Sequence, residues 1–175
     1  DIVSGKEDAY ITAFADSLAK IGKPVFMRFA HEMNGNWYPW AGPANGEYLK
    51  KCYIHLKKVF DERGATNVKW IFSVNWENIP KDGNDIMIYY PGDGYVDYVG
   101  IDGYNWGSTR EWSSWKGFAE IFGEMYRYVA AKINKPVIIT EFSSVSGGGD
   151  RGAWIKGALK DIKRMRKVVG FILFN

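Results

Sequence analysis

The chain has 175 residues and a mass of 19.9 kDa, the size of one domain with room for a sizeable core. Hydrophobic residues make up 46% and charged residues 25%, a globular balance that excludes a disordered chain, a collagen-like repeat and a disulfide scaffold. The net charge is only +3 and no run approaches the ~20 apolar residues of a membrane-spanning helix, so a soluble protein with neither a nucleic-acid nor a membrane partner is expected. Cys52 stands alone, which precludes an intrachain disulfide, and its place in the stripe Leu49, Cys52, Tyr53, Leu56, Phe60 predicts a buried thiol on a helix. His31 and His55 are the only histidines and fall on different elements, so no metal site is expected. The start at Asp1, without Met or an apolar leader, reads as a processed or excised piece. Aromatic residues reach 17%, with 8 Trp, and Trp clusters in loops suit a flat, partly apolar ligand.

In chain order, Ser4 to Glu7 reads as a capping box that opens a helix carrying Tyr10, Ile11, Phe14, Ala15 and Leu18 on one face, stopped by Gly22 and Pro24. A short apolar run over 25–30 predicts a first buried strand, and a helix follows from about 47 to 63. Strands are expected at 68–75 and 96–102, a helix from about 117 to 132, a strand at 136–142, a helix capped by Asp150 and reaching Lys167, and a last strand at 168–174. Strands that are apolar throughout and separated by helices imply a parallel sheet covered by those helices. Their starts lie about 36 residues apart, near the roughly 31 residues per unit of a (β/α)8 barrel. Five strands cannot close eight, so an α/β fold amounting to a partial TIM barrel is predicted, a single domain over 1–175 whose N-terminal strands are missing.

The strand ends carry the chemistry. The first runs into Arg28, His31, Glu32, Asn34, Trp37, Tyr38 and Trp40; the second into Asn75, Trp76 and Glu77; the third into Asp102, Tyr104 and Trp106; the fourth into Glu141 and Ser143; the fifth into Phe174 and Asn175. Carboxylates, amides and tryptophans thus recur at one end of successive strands, which is the lining of a sugar cleft: glycoside hydrolysis needs two carboxyl groups, and indole faces stack on pyranose rings. Glu77 lies out in a loop and Asp102 inside its run, where an internal bond to a neighbouring strand is expected. Glu32 and Glu141 end their hydrophobic runs directly and form the best catalytic pair, against the plainer alternative of buried partners for Arg28 or Lys135. Hydrolysis by paired carboxylates needs no cofactor, so none is expected. His31 reads as an active-site hydrogen-bonding residue that orients Glu141, and Arg28 as a charge behind a carboxylate. Trp37 and Tyr104 are expected on the substrate. Asn34, Trp76 and Trp106 could touch sugar or serve only local packing. The basic run 160–167 reads as the solvated face of a helix.

The segment RFAHEMNGNWYPW at 28–40 resembles the signature of glycoside hydrolase family 26, and the resemblance extends to VGIDGYNW at 99–106, ITEFSS at 139–144 and GFILFN at 170–175. It implies a (β/α)8 barrel of which strands 4 to 8 are present, with Glu32 as acid/base, Glu141 as nucleophile, Trp37 in a sugar subsite and Tyr104 bonded to the nucleophile. It implies a retaining endo-β-1,4-mannanase, with β-1,3-1,4-glucanase and β-1,3-xylanase as the minority activities. A noncatalytic polysaccharide-binding relative is the other alternative. The partner is then a mannan or glucan polymer and the location secreted or at the cell surface, inferred from the substrate. An incomplete barrel is further expected to self-associate through open sheet edges.

Overall fold

The computed structural model describes residues 1–174; Asn175, expected at the end of the fifth strand, lies outside them. Five strands, β1 (Val25–Arg28), β2 (Val68–Asn75), β3 (Tyr98–Asn105), β4 (Val137–Ser144) and β5 (Val168–Leu173), pair in parallel in the order in which they occur in the chain. Between them run helices α2 (Gly46–Glu62), α3 (Phe118–Lys132) and α4 (Arg151–Ile162), and α1 (Asp8–Ala19) precedes β1 and packs on α2. The sheet curls into a half-barrel with its helices alternating around it, the partial (β/α)8 barrel expected from the strand spacing.

Alternation along the strands separates the two faces. Trp70, Phe72 and Val74 of β2, Val99 and Ile101 of β3, and Val137, Ile139 and Phe142 of β4 are buried in the core that the helices cover. The opposite face carries Arg28, Ser73, Asp102 and Thr140, which bond one another across four strands. Gly100 lies within that layer: a Cβ there would stand 2.6 Å from Thr140 Oγ1 and 2.7 Å from Ser73 Oγ. Cys52 is buried, as the helical stripe predicts.

Several boundaries differ from the sequence reading. The capping box at Ser4 does not form: the Ser4 hydroxyl donates to Asp1 O at 3.0 Å, the first residues turn, and α1 begins at Asp8 with no side-chain cap. Asp150 does cap α4, accepting from Ala153 N at 2.9 Å, but the helix ends at Ile162 rather than Lys167. Lys167 instead donates to Ala130 O and Ile133 O at 2.9 and 3.0 Å, closing the C-terminal end of α3, so the basic run is not one solvated helical face. β1 stops two residues early, whereas β3 and β4 extend past their apolar runs into polar residues because the ladder between them continues to Asn105 and Ser144.

Candidate active site

Glu32 is delivered by an abrupt exit from β1. Ala30 and Glu32 both adopt left-handed backbone, at φ 49° and 55°, a conformation that is costly for residues with a Cβ and persists where surrounding contacts over-determine it. Two such contacts are the Glu32 amide on Ser73 O at 2.9 Å and the Gly35 amide on Glu32 O at 3.0 Å. The Glu32 side chain is buried and its Oε2 accepts from the Trp37 indole N–H at 2.9 Å. The Trp37 ring packs against Gly35, where a Cβ would sit 2.6 Å from it.

Glu141 comes from within β4, beside a register shift. Ile101 pairs with Ile139 and Asp102 with Glu141, so Thr140 is an extra residue against β3, and a shift also falls between Ile139 and Phe142 against β5. This bulge explains how consecutive residues can serve one face: Thr140 reaches Ser73 and Glu141 reaches Arg28, while Phe142 still packs on Phe118 and Trp154. Arg28 spans the layer, donating through Nη1 to Glu141 Oε1 at 2.7 Å, through Nη2 to Asp102 Oδ2 at 2.6 Å and through Nε to Ser73 Oγ at 3.2 Å. The other Glu141 oxygen accepts from the Tyr104 hydroxyl.

The two carboxyl groups therefore differ in surroundings. Loss of water pushes the Glu32 carboxyl above its ordinary range; the Trp37 N–H opposes this, and the Glu141 charge adds to it. Burial alone would lower the Arg28 guanidinium, but Asp102 and Glu141 outweigh it and hold it above its usual value, a fixed cation. Burial pushes the Tyr104 phenol up, reinforced by its bond to Glu141, so it remains a donor. Asp102, fully buried, is also pushed up by burial, against the pull of Arg28.

Glu32, Glu141, His31, Tyr104 and Trp106 line one open cavity of about 850 Å³, joined by Tyr38, Ser143, Arg151 and Phe174. Trp37 and Trp76 lie on an adjoining cavity of about 550 Å³ that also includes Glu32, Tyr104 and Trp106. Asp102 and Arg28 stand behind the pair, and the Asp102 side chain bonds to residues of β1 and β2, as its place inside a run suggests. Two expectations need correction. Asn34 does not reach the cleft: it is fully buried, donating to the carbonyls of Asn75 and Glu77 at 3.0 and 3.3 Å and to Asn78 Oδ1 at 2.9 Å, and accepting from the Asn75 amide at 2.8 Å. The hydrogen bond of His31 Nε2 goes to the Tyr38 hydroxyl at 3.0 Å, not to Glu141; burial and the Arg28 charge push its pKa down against the Glu141 charge, which favours the neutral ring. Tyr38, which stacks on Trp40 at 4.5 Å, was visible in the sequence only as one aromatic among several in its loop. Ser143 and Arg151, bonded at 3.3 Å, join the cavity from the end of β4 and the start of α4.

A half-barrel whose strand ends gather two carboxyl groups, one backed by a guanidinium and a phenol and one desolvated and held by an indole N–H, belongs to the class of barrel glycosidases. The chain is a member of glycosyl hydrolase family 26, whose sequence model matches residues 6–162. It is similar to Endoglucanase H of Acetivibrio thermocellus, 44% identical across the whole chain and 20% of that protein. It is also similar to a mannan endo-1,4-beta-mannosidase of Bacillus subtilis, 28% identical over 99% of the chain and 46% of that protein. A solved Bacillus subtilis mannanase superposes with a TM-score of 0.68 at 28% identity, covering 96% of this chain and 48% of that one. The chain thus spans from a fifth to about half the length of these relatives.

Proposed function

We propose that the protein is a retaining endo-β-glycanase acting on β-1,4-mannan. The observation that carries this reading is the asymmetry of the two carboxyl groups in one cavity: two donors converge on Glu141, whereas Glu32 is desolvated and raised. Glu141 is the nucleophile. Its carboxylate attacks the anomeric carbon as the glycosidic bond breaks, and Glu32 gives its proton to the departing oxygen. Glu32, now ionised, takes a proton from water, the resulting hydroxyl oxygen attacks the anomeric carbon, and the bond to Glu141 breaks, restoring both groups. Arg28 and Tyr104 hold Glu141 in line, and Trp37 orients Glu32. None of these steps requires a cofactor.

The choice of polymer rests on the relatives. The mannosidase is matched over nearly half its length, a larger share than of the endoglucanase. The endoglucanase is more similar but is matched over a fifth, which leaves most of that protein in which the named activity could reside. Its 44% identity nevertheless favours β-glucan as the second reading. We further propose that strands from outside this chain complete the barrel and that the enzyme acts outside the cell, where such polymers are met. Digestion of mannan, glucomannan, mixed-linkage β-glucan and β-1,3-xylan by the protein carrying this chain tests the substrate: release from mannan supports the reading, release from mixed-linkage glucan alone transfers it to glucan, and binding without release removes the enzyme.

A further inference from the structure

We infer that Trp112 is the outer sugar platform on the leaving-group side of the cleft, where it sets a preference for long polymer chains. The inference rests on the glycanase reading above and adds a residue and a direction to it.

The direction comes from how the cavities divide the catalytic pair. The 850 Å³ cavity contains both Glu32 and Glu141, whereas the adjoining 550 Å³ cavity contains Glu32 without Glu141. In a retaining mechanism the nucleophile faces the ring whose bond is cleaved, and the acid faces the oxygen that leaves. The cavity that holds only the acid is therefore where the departing part of the polymer lies. Trp37, Trp76, Trp106 and Trp112 line it, which makes the leaving-group side the indole-rich one.

Trp112 is the outermost of these by exposure, at 73%, against 44% for Trp37. An indole exposed to that extent forgoes the burial that a ring of its size usually gains, and it does so here on a loop that is tied down. The two ends of the loop converge on the buried Asn105, whose Oδ1 accepts from the amides of Gly107 and Lys116 at 3.2 and 3.1 Å. The Ser113 hydroxyl, next to Trp112, donates to Gly107 O at 2.7 Å. Gly107, at φ 53°, passes so close to the neighbouring loop that a Cβ would lie 1.9 Å from Gly147 O, so the two loops pack together there. Trp106 meets the Trp112 ring edge to face, with centroids 6.3 Å apart, and is itself covered by the Arg110 guanidinium at 5.5 Å. The ring is held open to solvent at the mouth of the cleft, and holding an aromatic ring in place before the ligand arrives lowers the cost of ordering it on binding.

The test compares Trp112→Ala with the wild type on the preferred polymer and on an oligosaccharide carrying a dinitrophenyl leaving group, which places no sugar beyond the scissile bond. The ratio of kcat/KM on polymer to kcat/KM on the aryl glycoside should fall about tenfold, chiefly through KM on the polymer, and Trp112→Phe should recover most of it. The quenching of tryptophan fluorescence by long oligosaccharides should weaken in Trp112→Ala in parallel. An unchanged ratio, with the wild type active on polymer, would overturn this inference and leave the glycanase reading standing. A wild type that cleaves none of the polysaccharides would overturn that reading, and the inference with it.

Discussion

At the scale of single residues, two chemically similar side chains in one cavity have different surroundings, and the proposed mechanism rests on that difference. In the proposed mechanism Glu32 must hold a proton at the working pH; its burial raises it while the Trp37 N–H stabilises its ionised form. Removing that donor should raise Glu32 further. Because the first step needs protonated Glu32, activity is lost as pH rises through its pKa, and in Trp37→Phe this alkaline limb of kcat/KM should move to higher pH. A limb that moved to lower pH would show that the hydrogen bond does not act on the carboxylate. A second pair of variants separates the roles. Glu141→Ala should abolish turnover of every substrate, whereas Glu32→Ala should still form the glycosyl-enzyme from a dinitrophenyl glycoside, whose leaving group needs no proton. Equal losses on that substrate would mean the roles are misassigned. Glu32 and Glu141 stand out in the sequence because each ends an apolar run, and in a parallel barrel such positions face one end; the structure brings both to one cavity. The destination of a ring nitrogen was not legible: His31 meets Tyr38 because the loop after β1 folds back, and nothing in the linear order of His31, Tyr38 and Trp40 states that fold.

At the scale of elements, local geometry turns strands into a site. The bulge at Thr140 allows one strand to supply both the Thr140 hydroxyl to the layer behind and the Glu141 carboxylate to the cleft. No residue type announces such a shift, since it is decided by the registers of β3 and β5 together. Gly100 reports the same tightness, and Gly100→Ala should cost about 2 kcal/mol by forcing apart the Ser73 and Thr140 hydroxyls, read as a lowered melting temperature. Asn34 shows why an amide at a strand end is ambiguous. It follows the end of β1, where a sugar ligand would be expected, but the chain that leaves β2 folds over it and takes the hydrogen bonds of its side chain. Asn34→Ala leaves those buried partners unmet and should destabilise the protein by about 3 kcal/mol, whereas a sugar ligand would show its loss in KM at unchanged stability.

At the scale of the whole molecule, the five-strand arc has two edges. On β1 Phe26 is 54% exposed, and on β5 Val169, Ile172 and Leu173 are exposed, so among the described residues these apolar strands have no neighbour on one side. The strand count and the parallel order were readable from spacing and apolarity; the extent of these bare edges follows only from the curl of the sheet. Isolated, the chain should associate, and Ile172→Lys should increase its monomer fraction in sedimentation. A stable monomer that the substitution does not alter would show that the edges are not sticky.

The central claim is that Glu141 bonds covalently to the sugar while Glu32 handles the proton, and trapping tests it most directly. Incubating the protein that carries this chain with an activated 2-deoxy-2-fluoro glycoside, then digesting it and sequencing the labelled peptide by mass spectrometry, reveals which residue carries the sugar. The sugar should be found on Glu141, in the peptide spanning 139–144. A label on Glu32, or turnover of the natural polymer with inversion at the anomeric carbon and no trapped adduct, would contradict the account.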